Sequence, residues 1–104
     1  MSKKNIMPVN EFDKDSMIRE LTVNLPVLRA KLGLSQEEVS EVIGISRQTY
    51  SSIETGKRKM TWSTFLSLIL FFGCNKGTDL MLNGMGLLSP ELNEFLIKNN
   101  RRDI

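Results

Sequence analysis

The sequence predicts an all-α fold, and three features of it carry that prediction. Apolar residues recur at helical spacing along most of the chain. Ser, Thr, Asn and Asp stand where helices would start, and glycines stand where several would stop. No segment shows the sustained alternation of a half-buried strand.

The elements follow in order. Residues 1–12 lack periodicity and are expected to form a flexible N-terminal arm. A first helix starts at Asp13 and carries Met17, Ile18 and Leu21 on one face. Asn24 is placed to cap a separate second helix, with Pro26 in its first turn, where the missing N–H would have had no partner. Leu25, Leu28 and Leu32 form its buried stripe, and Gly33 ends it. In the next helix Ser35 and Glu38 make a capping box, and Val39, Val42 and Ile43 supply the buried face. Gly44 ends that helix in a position suited to a left-handed backbone. Ile45 is a buried pin, and Ser46 caps a further helix through Glu54.

Thr55 to Lys59 read as a basic turn, and Thr61 caps a helix from Trp62 to about Phe72. Its apolar arc covers more than half the helical wheel, leaving Ser63, Thr64 and Ser67 for the remainder. Such a helix packs against more than one neighbour. Lys76 to Leu82 form a short helix ending near Gly84. Ser89-Pro90-Glu91 start another, with Leu92, Phe95 and Leu96 on one face. The expected organisation is an arm (1–12), a core domain (13–73) and a helical C-terminal extension (74–104).

Composition narrows the function. A chain of 104 residues with 40% hydrophobic residues supports one modest core. With no histidine and a single cysteine, the usual zinc sites and Cys/His or Ser/His nucleophile arrangements are unavailable. No phosphate-binding glycine loop is present, so neither an enzyme nor a cofactor is expected. Cys74, beside Phe71, Phe72 and Gly73, reads as a core residue in a reducing, cytoplasmic setting. Lys3 and Lys4 are followed by Pro8, Glu11 and Asp13, so no secretory signal is expected. The longest apolar stretch, Phe65 to Cys74, is far short of the roughly 20 residues of a bilayer span.

The net charge of +2 is unremarkable, so any nucleic-acid footprint must be local. Two short helices joined at Gly44 are a common device for placing side chains in a DNA groove. At about 100° per residue, Tyr50 and Ile53, with Thr49 alongside, point inward. Arg47, Gln48, Ser51 and Ser52 then point outward. Arg47 can bond a guanine edge and Gln48 an adenine edge, while the two serines allow close approach. The adjacent cations Lys57, Arg58 and Lys59 suit phosphate contacts that fix register. Gln36, at a helix N-terminus, suits another. Glu37 and Glu41 lie opposite the buried stripe and would be repelled if turned toward DNA.

Together LRAKLGLSQEEVSEVIGISRQTYSSIETGKR and the apolar helix after it resemble the lambda repressor/Cro, or XRE-type, helix-turn-helix family, over about Leu25 to Phe72. The resemblance implies a five-helix core domain whose second and third helices form the motif, with residues 47–54 as the recognition helix. It implies base reading by Arg47, Gln48 and Ser52, with Ser51 beside them. Phosphate contacts fall to Gln36, Thr55, Lys57 and Arg58, and a structural ion pair to Arg29 and Glu54. Thr55 departs from the family's usual asparagine.

The function expected from these residues is a DNA-binding transcriptional regulator, a repressor bound as a homodimer to a palindromic operator in double-stranded DNA. The alternative is an antitoxin-type or other interaction module that grips a protein partner through its C-terminal extension.

Overall fold

A computed structural model describes residues 13–87, which form five helices. They are α1 (Lys14–Leu32), α2 (Gln36–Ile43), α3 (Arg47–Glu54), α4 (Trp62–Gly73) and α5 (Lys76–Met85). Residues 1–12, and the helix expected after Ser89, lie outside the described residues.

Each of the first four helices opens on a side-chain cap. Asp13, Ser35, Ser46 and Thr61 each accept a hydrogen bond from the backbone N–H three residues on. At Ser35 the box is reciprocal, because the Ser35 N–H also donates to Glu38 Oε1 at 2.8 Å. Gly44 ends α2 with φ +81°, a left-handed conformation that a Cβ makes costly. That bend lets both Gly44 and Ile45 donate to the Ser40 carbonyl and turns the chain into α3.

Three expectations need correction. The first two predicted helices are one helix, α1, which runs through Pro26. Asn24 does not cap anything; its amide bonds back to the Glu20 carbonyl at 2.8 Å. The helix survives Pro26 because Ile18, Leu21, Leu25 and Leu28 form one uninterrupted buried stripe, whose burial outweighs the lost backbone bond. Val42, expected inside, is 60% exposed, and Ser40 is buried in its place. Cys74 is exposed, because it sits just past α4 where the chain leaves the core.

The core collects Leu21, Leu25 and Leu28 from α1, Val39 from α2, Tyr50 and Ile53 from α3, and Phe65, Leu68, Ile69 and Phe72 from α4. Leu82 of α5 and Leu87 belong to the same cluster. Thus α5, which runs to Met85 and stops at Gly86 rather than near Gly84, packs on both α1 and α4. It covers part of the broad apolar arc of α4, though Leu70 remains half exposed. The buried Thr78 hydroxyl donates to the Phe72 carbonyl at 2.6 Å, fastening the start of α5 to the end of α4. At the other end of α4, Trp62 stacks on Phe65 with ring centroids 4.6 Å apart.

Candidate nucleic-acid interface

Helix α3 rests on the core through Tyr50 and Ile53, both buried, and this fixes which side it offers to solvent. Arg47 and Gln48, in its first turn, are exposed. Ser51 and Ser52, one turn on, are half-buried beside them, as is Thr49. The four polar side chains 47, 48, 51 and 52 therefore lie together on the outward side of one short helix.

The loop after α3 is held by its own backbone. Gly56 N–H donates to the Ile53 carbonyl and Arg58 N–H to the Ser52 carbonyl, each at 3.0 Å. Lys57 and Arg58 are exposed on this turn, next to the outward side of α3. Lys59 is drawn aside, and its ammonium pairs with Asp15 on α1. The hydrogen bond and charge of Lys59 hold the Asp15 carboxyl below its usual range. Both side chains are about two-thirds exposed, so the pair adds little to stability. Thr55 turns its hydroxyl back onto the Ser51 carbonyl at 3.0 Å, at the helix end.

Behind α3 lies a network centred on Glu54, whose side chain is only 5% exposed. Arg29 of α1 meets it with two parallel bonds, Nε to Oε2 at 2.9 Å and Nη2 to Oε1 at 3.0 Å. The third Arg29 nitrogen, Nη1, donates to the Leu34 carbonyl at 2.9 Å. Gln36 Nε2 donates to Glu54 Oε1 at 2.6 Å, and the Tyr50 hydroxyl to Oε2 at 2.8 Å. One carboxylate thus ties α1, α2 and α3 together. Burial pushes the Glu54 carboxyl up, but hydrogen bonds from Arg29, Gln36 and Tyr50 outweigh it and hold the group below its usual range. Burial, and the bond to Glu54, push the Tyr50 hydroxyl well above the ordinary tyrosine range.

The sequence pointed to the Arg29 and Glu54 positions but missed two donors, Tyr50 and the Gln36 amide. The i, i+4 spacing of Tyr50 and Glu54 was the available signal. Tyr50 reads first as a core residue, and its polar tip is easily overlooked.

A helix-turn-helix family model matches residues 28–76, spanning the end of α1 through α4 to the start of α5. Residues 28–76 form a helix-turn-helix domain of the lambda repressor/Cro family. Such a domain is a DNA-binding regulatory module, and α2 and α3 are its motif. No curated protein and no solved structure matches the chain significantly. Among the described residues no helix is long and apolar enough to cross a membrane.

Proposed function

We propose that this chain is a sequence-specific transcriptional regulator that acts as a repressor, bound as a homodimer to a palindromic operator. The observation that carries the reading is the division of α3, with Tyr50 and Ile53 buried and Arg47 and Gln48 exposed within the matched domain. In this reading Arg47, Gln48, Ser51 and Ser52 meet base edges in the major groove. Lys57 and Arg58 clamp phosphates from the loop after α3, and Gln36 does so from the start of α2. Lys59 joins them by exchanging Asp15 for phosphate, which an exposed pair does readily. Thr55 contributes through the turn it closes.

A homodimer would place two α3 helices in successive major grooves, about 34 Å apart. The exposed large apolar side chains Leu70 of α4 and Leu80 of α5 support a subunit contact through these helices. Sedimentation of the protein alone and on a selected duplex tests it, and a monomer in both states removes the dimer.

The reading of bases against phosphates is tested by two variants on a duplex selected from a random pool. Arg47→Ala should cost about 1–3 kcal/mol on the selected site and relax its discrimination. Lys57→Ala should weaken all duplexes alike and flatten the salt dependence by about one unit. If both weaken selected and random duplexes equally, the roles assigned here are wrong.

A further inference from the structure

The network around Glu54 does more than join three helices, because it dictates how the Gln36 amide is presented. An ionised carboxylate only accepts hydrogen bonds, and it has about four lone-pair sites. All four are taken here: two by Arg29, one by Tyr50 and one by Gln36. An acceptor-only neighbour fixes the amide, since its nitrogen, not its oxygen, must face Glu54. The Gln36 nitrogen carries a second hydrogen, and that hydrogen and the amide oxygen make no other hydrogen bond among the described residues. Gln36 is half-buried, at the first position of α2, and shares the neighbourhood of the α3 end with Glu54.

We propose that Glu54 and Tyr50 are positioning residues for Gln36, anchoring one of its N–H groups so that the other is aimed at a phosphate of the DNA backbone. This rests on the DNA-binding reading above. Arg29 neutralises Glu54, so the carboxylate can stand behind the amide without repelling the phosphate in front of it. The Tyr50 hydroxyl acts one step further back. It occupies Oε2 and keeps the carboxylate rotated so that Oε1 faces Gln36.

The role is separable from simple stability because its effect must pass through Gln36. The experiment measures binding of the full chain to its selected duplex by fluorescence anisotropy, at a temperature where melting curves show every variant folded. Gln36→Ala should weaken binding about three- to tenfold, as expected for one hydrogen bond to a charged acceptor partly open to water. Tyr50→Phe, which keeps the buried ring, should weaken it about two- to fivefold by loosening the amide. Tyr50→Phe combined with Gln36→Ala should be no weaker than Gln36→Ala alone, a non-additivity characteristic of residues in one network. Glu54→Asp keeps the charge but shortens the reach to Gln36, and should show the same coupling. Tyr50→Phe combined with Lys57→Ala should be additive.

If the losses from Tyr50→Phe and Gln36→Ala simply multiply, Tyr50 is structural and the positioning role falls. Should Gln36→Ala leave affinity unchanged while Arg47→Ala reduces it, DNA binding stands and the proposal is overturned. A wild-type chain that selects no duplex removes both.

Discussion

Replacing Arg29 by methionine isolates the energetic weight of the Glu54 network. The substitution keeps most of the aliphatic stem but deletes three hydrogen bonds, two to Glu54 and one to the Leu34 carbonyl. It leaves a carboxylate that is 5% exposed with only the neutral donors Gln36 and Tyr50. Removing one member of a fully buried pair costs about 3–5 kcal/mol. Here the Arg29 side chain is 20% exposed, so water relieves part of the stranded charge. A loss of about 2–4 kcal/mol is therefore expected, which for a domain of this size lowers Tm by on the order of 10–25 °C.

The pH dependence gives the sharper check. In the wild type the Glu54 pKa is lowered on folding, so its contribution is present above the unfolded carboxyl value of about 4.3. That contribution fades as pH falls through the lowered folded value. Without Arg29 the burial of Glu54 is far less opposed and its folded pKa rises, so acid now relieves the buried charge. The stability gap between wild type and Arg29→Met should narrow steadily from pH 7 to pH 4 in urea titrations followed by circular dichroism. Adding Glu54→Gln to Arg29→Met should recover at least about 1 kcal/mol at pH 7, since no charge is then stranded. A loss below about 1 kcal/mol, or a gap independent of pH, would refute a buried, charge-dependent network.

Three further outcomes follow from the same geometry. Tyr50 is the chain's one tyrosine, so its ionisation can be followed directly by tyrosinate absorbance. Its pKa is raised on folding, hence stability should fall as pH climbs past the unfolded value of about 10, and Tyr50→Phe should lose that decline. Pro26→Ala should stabilise the protein by about 1–2 kcal/mol, because it restores an N–H for the Thr22 carbonyl in mid-helix against a modest gain in unfolded-chain entropy. An unchanged denaturation midpoint would mean that carbonyl is already satisfied. Arg47→Ala and Gln48→Ala should each shift stability by less than about 0.5 kcal/mol, as expected for exposed side chains on a helix held elsewhere. A larger loss in thermal melts would show that the first turn of α3 is part of the packing.

Where the sequence was legible, the signal was local and chemical. Ser35 with Glu38, Ser46 and Thr61 mark helix starts through bonds spanning three residues, and Gly44 marks a stop through its own backbone. Such interactions need no knowledge of distant parts of the chain. The misreadings arise where tertiary packing overrides a local cue. Asn24 and Pro26 together look like a helix start, yet Leu21, Leu25 and Leu28 are all fully buried on one stripe that crosses them. Around α2, at about 100° per residue, Val39 and Ile43 share an arc with either Ser40 or Val42. Periodicity favoured the apolar choice. The structure takes Ser40, whose small side chain fits the buried side and whose hydroxyl donates to the Glu37 carbonyl at 2.8 Å.

The candidate site divides along the same line, and the division explains how the fold serves recognition. The outward residues of α3 follow from angular arithmetic once Tyr50 and Ile53 are inside, so the side offered to solvent could be foreseen. The support behind that side could not, because Arg29, Gln36, Tyr50 and Glu54 come from three helices and meet only when those helices pack. The inward side of α3 is held along its length, where Tyr50 and Ile53 are packed and Tyr50 and Glu54 are bonded. Its outward side carries Arg47 and Gln48 exposed, next to the turn that Ser46 caps. A helix fixed along one side and polar along the other can change what it contacts without losing its place in the fold. Positions 47 and 48 can therefore be substituted without disturbing the packing, while position 54 is bound to the scaffold.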